Sequence, residues 1–304
     1  MVLFVYGAAG VVHDAAESAL VTAAVDPSLL GDFNGLRMTA TESMKLVAPL
    51  AGAGLYAAYG GPGVALLDAL TFVLAAGLYA GLRVRESRPG PPPPTTGWWA
   101  QTGEGARRLR ADPLLRSLVL AGGATMLCAG LNGAMIYAVI DDLGHSPAYA
   151  GVLYAVQGAG SVAVGLFSGP ALRRLGERRF AAYGIALTAA AAGLRAVPSD
   201  AVAVVCSAAI GAGLPCVLIA ALTAVQRRTP DALLGRTAAT AHTLLFAPNV
   251  LGLAVGAVLV EVLDQRPLLA VLGALWLLTG LPLFQRPARA SRTASRSPSD
   301  ANPA

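Results

Sequence analysis

The stretch SLVLAGGATMLCAGLNGAMIYAVI, residues 117–140, decides the fold, because it contains no Asp, Glu, Lys or Arg. A helix of about 20 apolar residues crosses a hydrocarbon core of about 30 Å. Unpaired backbone amides cost several kcal/mol in that core, so a crossing segment must be a helix or a strand of a closed barrel. Barrel strands need only about 10 alternating residues, so this uniformly apolar stretch predicts a transmembrane helix.

Eight further stretches are similarly long and apolar, namely residues 2–20, 36–59, 61–82, 147–172, 180–199, 201–226, 237–260 and 267–284. The whole chain is 55% hydrophobic and 13% charged, whereas globular domains carry about 25% charged residues. The sequence therefore predicts an all-α, polytopic membrane protein with about nine transmembrane helices.

The arginines are distributed unevenly between alternate loops. Only Arg195 and Arg266 fall in one set of loops, and the other nineteen fall in the opposite set or in the C-terminal tail. Loops rich in Lys and Arg face the cytoplasm. We therefore expect a multi-pass protein of the inner (plasma) membrane with a cytoplasmic C-terminus, and the net charge of +5 does not indicate nucleic-acid binding.

A proline run at residues 91–94 divides the spans into three and six, because consecutive prolines are incompatible with a helix interior. The predicted organisation is a partial N-terminal bundle of three helices (1–83), a cytoplasmic linker with a basic surface helix (84–116), a six-helix C-terminal bundle (117–284) and a disordered tail (285–304). The alternative for the surface helix is an ordinary solvated linker.

Residues 7–32 align with residues 211–236, and both segments end a span, pass through a loop with Leu-Leu-Gly and begin another. If this is an internal repeat, the first three spans correspond to the last three of a second six-helix unit. The repeat then predicts that three helices are missing before the first span.

Several motifs resemble those of the major facilitator superfamily, and within it bacterial exporters similar to the enterobactin exporter. They are DALTF at 68–72, GARRLRADPLL at 105–115, GPALRRLGERR at 169–179 and TPDALLGR at 229–236. The resemblance implies two six-helix bundles with substrate crossing between them, of which this chain holds helices four to twelve.

The motif at 169–179 resembles the loop motif of such transporters, which implies a role for Gly169, Arg173, Arg174, Gly176, Arg178 and Arg179. The family has an acidic residue where Arg173 stands, so its usual charge interaction with a helix terminus is in question here. Only part of the family's antiporter motif is present, as APLAG at 48–52, and antiport does not follow from it.

Ionisable side chains within the first two spans are candidates for proton coupling, because charged groups at membrane depth cost about 2.5 to 3.5 kcal/mol each. These residues are Asp14, Glu17, Glu42 and Lys45. Asp14 or Glu17 would bind and release the proton, since burial raises a carboxylate pKa. The alternative is a structural ion pair of Glu42 with Lys45.

Neutral polar residues within the C-terminal spans are candidates for a substrate cavity, because amides, hydroxyls and imidazoles orient a ligand without a fixed charge. They are Asn132, Tyr154, Gln157, His242 and Asn249. The alternative for each is a hydrogen bond that holds two helices together.

No nucleotide-binding loop, HExxH, GxSxG or paired CxxC motif occurs, so we expect neither an enzyme nor a cofactor or metal site. The expected partners are the lipid bilayer, protons and a small amphipathic substrate, drug-like or siderophore-like, which proton-driven efflux would export. The alternative is a truncated, non-transporting membrane protein that pairs with another subunit.

Overall fold

The computed structural model describes positions 10 and 13 and residues 16–81 and 98–284, with the side chains of 45, 46, 49, 50, 53 and 98–102 left out. Most of the predicted first span, much of the linker and the tail at 285–304 lie outside the described residues. Every element of the described part is a helix or a turn.

The helices in chain order are α1 (residues 16–24), α2 (Leu30–Gly81), α3 (Trp98–Ala111), α4 (Pro113–Ala134), α5 (Ile136–Asp142), α6 (Tyr149–Leu194), α7 (Asp200–Arg228), α8 (Asp231–Val262) and α9 (Gln265–Phe284).

Two of these helices change direction at a glycine. Gly60 in α2 has φ 66° and Gly176 in α6 has φ 73°, values in the left-handed region that only glycine adopts without strain. Each glycine divides its helix into a first arm and a second arm. The predicted spans 36–59 and 61–82 thus occupy the two arms of α2, and those at 147–172 and 180–199 occupy the two arms of α6.

Six helices in the described residues are long and apolar enough to cross a membrane. They are Gly54–Gly81, Pro113–Asp142, Tyr149–Leu194, Asp200–Arg228, Asp231–Val262 and Gln265–Phe284. Tyr149–Leu194 is counted once although Gly176 divides it into two predicted spans. The predicted span at 36–59 is helical but carries Arg37, Glu42 and Lys45, and the six do not include it. The prediction of nine spans therefore stays a prediction.

Asp112 lies at the junction of the predicted surface helix, α3, with α4. The surface helix predicted within residues 84–116 ends at Ala111. The Asp112 carboxylate accepts hydrogen bonds from the amides of Leu114 (2.9 Å) and Leu115 (3.3 Å) and so begins α4. Burial opposes ionisation of Asp112, yet these amides and the charge of Arg228 lower its pKa below the usual value. The ionised N-cap fixes the junction of α3 with α4.

The helices from α4 onward pack through glycines at which a Cβ atom would overlap a neighbouring backbone. A Cβ at Gly252 of α8 would overlap the carbonyl of Leu127 in α4, and a Cβ at Gly211 of α7 would overlap the carbonyl of Gln157 in α6. Small residues permit such close approach between membrane helices, where dispersion forces drive packing. The glycines at 77 and 81 in α2, with similar spacing, have no atom within 4 Å of their Cβ positions in the described structure.

The buried core lies in the part of the chain from α3 to α9. Its fully buried large side chains include Leu118 of α4, Ile185 of α6, Ile219 of α7, Leu245 of α8 and Trp276 of α9. By contrast, no residue between 36 and 81 whose side chain is described is buried. The second arm of α2 therefore presents apolar residues outward along its length, as a lipid-facing or partner-facing helix does.

We predict that Gly252→Leu lowers the stability of the fold, because the new side chain must push α8 away from the backbone of α4. Overpacking of this kind costs about 1 to 3 kcal/mol. The check is the thermal unfolding midpoint of the detergent-purified chain. Gly77→Leu adds the same side chain where the structure has open space, and should leave the midpoint nearly unchanged. Equal effects at the two sites would contradict the packing described for α4 and α8.

Candidate functional site

Helix α2 meets the first arm of α6 in a contact that we call the seam. It is formed on α2 by Gly31, Gly35 and Thr39, and on α6 by Gly165, Ser168, Gly169 and Leu172. The α2 residues are spaced four apart, so they share one face of that helix. The seam joins a segment predicted for the N-terminal bundle to one predicted for the C-terminal bundle.

The two backbones touch along the seam. A Cβ atom at Gly35 would overlap Ser168 Oγ and the Gly165 carbonyl, and a Cβ at Gly165 would overlap Thr39 Oγ1. The Ser168 hydroxyl donates to the carbonyl oxygens of Gly31 (3.2 Å) and Gly165 (2.8 Å). Side chains larger than these would separate the helices, so the residue types at the seam set the distance between them.

One end of the seam lies beside the loop motif at 169–179, and we call it the arginine-rich end. Charged side chains close this end. Arg173 forms an ion pair with Asp32 in the first turn of α2. Arg227 of α7 donates to Glu177 (3.0 Å) and to the carbonyl oxygen of Pro27 (2.8 Å). We call Asp32, Arg173, Glu177 and Arg227 the clamp.

The loop motif makes a charge interaction with a helix terminus although a basic residue stands at position 173. The loop motif of the resembled family has its acid at this place, whereas here α2 supplies the acid, Asp32, and the loop supplies the base, Arg173. An acidic side chain in the first turn of a helix also interacts favourably with the helix dipole. A charge interaction with a helix terminus therefore exists, with the polarity of the pair reversed.

The remaining loop-motif residues have separate roles. A Cβ at Gly169 would overlap the Asp32 carboxylate, and Gly176 makes the turn between the two arms of α6. Arg178 donates to the carbonyl oxygen of Pro282 at 2.9 Å and so ties the loop to α9. Arg174 and Arg179 are exposed and have no hydrogen bond or ion pair within the described part of the chain.

Asn34 is a seam-side residue that the sequence analysis missed. It is buried, and its amide donates to Thr223 Oγ1 (2.9 Å) and Gln226 Oε1 (2.6 Å) of α7. Hydrogen bonds between membrane helices contribute about 0.6 to 2 kcal/mol each. Its position in the sequence could have identified it, because Asn34 is three residues after Gly31 and so lies on the helix face that carries the small residues.

The predicted proton-coupling residues are only partly described. Asp14 and the side chain of Lys45 lie outside the described residues, and Glu42 is half-buried on α2. Glu17 of α1 forms an ion pair with Arg37 of α2, and the Glu17 side chain is only 16% exposed. Arg37, which lies in the predicted span 36–59, thus supplies a positive charge beside Glu17.

The predicted substrate-cavity residues divide into two groups. Asn249 donates to the carbonyl oxygen of Met126 at 3.0 Å, and the His242 ring lies 4.4 Å from that of Phe246. Gln157 is half-buried where α6 approaches α7. Asn132 and Tyr154 instead lie near Arg195, at the end of the bundle opposite the clamp.

A cavity of about 450 Å³ opens beside α4 and α9. It is lined by Pro113, Arg116, Ser117, Leu120, Ala121, Ala124, Arg178, Thr279 and Pro282. None of the predicted substrate residues lines it. It lies near the starts of α4 and of the second arm of α6, so it belongs to the arginine-rich end.

No group of three or more metal-ligating side chains occurs among the described residues. The three cysteines, Cys128, Cys206 and Cys216, are buried and unpaired.

One comparison with known proteins identifies a family, and another shows a similar fold. The family model described as Major Facilitator Superfamily matches residues 118–303. The fold resembles the crystal structure of the human organic anion transporter MFSD10 (TETRAN), with a TM-score of 0.73 and 16% sequence identity, over 88% of this chain and 67% of that one. A search of curated proteins found no match.

We predict that reversing one charge of the clamp weakens the contact and that reversing both restores it. Exposed ion pairs contribute about 0.2 to 1 kcal/mol, and the Arg173 and Asp32 side chains are 47% and 31% exposed. Arg173→Asp should lower the unfolding midpoint, and adding Asp32→Arg should recover most of the loss. The matched control is Arg174→Asp. Adding Asp32→Arg to this variant should not raise its unfolding midpoint. Additive effects of the first pair would show that no coupling exists.

Proposed function

This chain belongs to the major facilitator superfamily, and we propose that it is a secondary active transporter that exports small amphipathic molecules, drug-like or siderophore-like, driven by the proton gradient. The proposal assigns it to the exporter branch that includes the enterobactin exporter. The fold match to a protein described as an organic anion transporter supports a small organic molecule as the cargo.

One observation carries the proposal: among the described residues, the close contact of α2 with α6 lies at the arginine-rich end. Contacts between α2 and α6 run from Gly31 to Thr39, and no described side chain of α2 beyond Gly35 is buried. Transport by alternating access requires two units that close against each other at one end while the other end is open. Separation of α2 from α6 at the clamp would open the arginine-rich end.

The orientation in the membrane follows from the arginine distribution. Loops with many arginines stay in the cytoplasm, so the clamp would close the cytoplasmic end of a plasma-membrane protein. The form described here would then be open to the outside. Release of an exported molecule takes place from that form.

Glu17 is the residue through which we propose that protons couple to transport. It is mostly buried and pairs with Arg37 on the helix that carries the seam. Protonation would neutralise the carboxylate and break the pair, and that change would alter the contact between α1 and α2. Asp14, Glu42 and Lys45 remain candidates for the same network.

A second candidate function is that of a membrane subunit without transport activity. It is favoured by the second arm of α2, in which none of the residues 61–81 is buried. Such a helix has room for a partner along its whole length. Transport by the purified chain alone in vesicles distinguishes the two functions, because only a transporter would be active without a partner.

We predict that Glu17→Gln lowers proton-driven transport about tenfold or more, because the glutamine amide cannot bind and release the proton; a factor of ten corresponds to about 1.4 kcal/mol. The measurement is uptake of the xanthene dyes fluorescein and rhodamine 123 into inside-out proteoliposomes with an imposed pH gradient. The matched control is Asp26→Asn, which changes an exposed acid that hydrogen-bonds only to nearby Ser28. It should transport at the wild-type rate.

Two results would count against the proposal. Gradient-dependent transport that survives Glu17→Gln would remove Glu17 from the coupling. Absence of transport of both dyes by the wild-type chain, with the chain folded and correctly inserted, would favour the subunit function.

A further inference from the structure

Arg195 is a buried arginine at the end of the bundle opposite the clamp. It follows the last residue of α6 and is only 4% exposed. Its guanidinium donates to Ser207 Oγ of α7 at 2.6 Å and to Asn132 Oδ1 of α4 at 3.5 Å. Its Nε is buried without a hydrogen-bond partner. Guanidinium has five N–H donors, so much of this one is unsatisfied.

No described carboxylate lies within ion-pair distance of Arg195. The ionisable groups that interact with it electrostatically are Cys206 and Tyr154. A charge that is removed from water without a partner carries a large free-energy cost. The partial negative charge at the C-terminus of α6 offsets only a small part of that cost.

Arg266, the other arginine predicted for this side, is bound differently. It is exposed and donates to both carboxylate oxygens of Asp142, at 3.0 and 2.8 Å. The chain therefore satisfies one arginine of this end with an acid of its own, and leaves the buried one with neutral neighbours.

The surroundings of Arg195 combine polar and aromatic groups from several helices. Asn132, Ser207 and Tyr154 come from α4, α7 and the first arm of α6. The Tyr154 and Tyr137 side chains are 42% and 57% exposed, whereas Arg195 is buried, so the polar group extends from the interior to the surface of the bundle. The buried apolar residues Cys206 and Ile210 lie on the same helix as Ser207. A planar anion with an apolar body matches this arrangement.

We propose that Arg195 is the anchor of a binding site for organic anions, in which its guanidinium pairs with a carboxylate of the ligand and Asn132, Ser207 and Tyr154 orient it. Arginine binds carboxylates through two parallel hydrogen bonds. As a substrate site this assignment rests on the proposed transport function, and it makes anionic compounds the preferred cargo. As a binding site it stands on the buried charge alone.

The test uses benzoate, its neutral isostere benzamide, and sulfate as a purely inorganic anion. The unfolding midpoint of the full, detergent-purified chain is measured against the concentration of each compound, because a ligand that binds the folded state raises the midpoint in proportion to its affinity. We expect benzoate to stabilise the wild-type chain more than benzamide or sulfate does.

Variants then assign the effect to the site. Arg195→Gln should weaken benzoate binding roughly 10- to 100-fold, the loss expected when a hydrogen-bonded charge is removed. Arg195→Lys keeps the charge without the planar fork and should show an intermediate loss. In the matched control, Arg266→Gln, binding should stay at the wild-type level. A merely structural role for Arg195 would change the midpoint equally with and without benzoate.

Three results would overturn the proposal. They are equal stabilisation of the wild-type chain by benzoate and benzamide, stabilisation by sulfate as large as that by benzoate, and benzoate binding that Arg195→Gln leaves unchanged. The first two need no variant, so misfolding of Arg195→Gln does not obscure them.

Vesicle transport separates this proposal from the transport function. If benzoate binds through Arg195 but neither benzoate nor the two dyes cross the membrane, the transport function fails and the anion site stands. If fluorescein and rhodamine 123 are transported equally well by wild-type and Arg195→Gln chains, the anion site fails and the transport function stands.

Discussion

Backbone contact between α2 and the first arm of α6 is the constraint on which the arrangement of this protein depends. At Gly35, Gly165 and Gly169 a Cβ atom would overlap atoms of the facing helix, so the helices meet at the shortest distance that residues permit. Packing at that distance gains dispersion energy without requiring long side chains to lose rotamer freedom. The transport that we propose requires this contact to separate.

Ion pairs and hydrogen bonds add to the contact between α2 and α6 at its arginine-rich end. The clamp pairs Asp32 with Arg173 and Glu177 with Arg227, and Asn34 adds buried hydrogen bonds to α7. The clamp acids come one from each side of the seam, and both clamp bases, Arg173 and Arg227, come from the side of α6 and α7. The opposite end has no comparable connection between α2 and the later helices in the described chain, and there the buried charge of Arg195 lies among neutral groups.

The sequence was sufficient for the helical, membrane-spanning character of the chain and for its family, because apolar length and arginine placement are local properties. Spacing along a helix determines which residues share a face but not what that face meets: Gly252 and Gly256 contact α4, whereas Gly77 and Gly81, with the same spacing, have no atom within 4 Å of their Cβ positions in the described structure. The sequence did not indicate that Arg173 would meet Asp32 or that Arg37 would meet Glu17, because those pairs depend on the packing of helices far apart in the chain. Arg195 was counted as a loop residue, since its burial results from how α4, α6 and α7 converge.

The central claim is that α2 and α6 must separate at the seam for transport. In the variant Gly31→Cys with Leu172→Cys the two Cβ atoms would lie about 3.6 Å apart, within the range that a disulfide requires. Oxidation should stop transport in vesicles and reduction should restore it, whereas the oxidant should not change the transport rate of either single variant. Undiminished transport by the fully cross-linked chain would contradict the account.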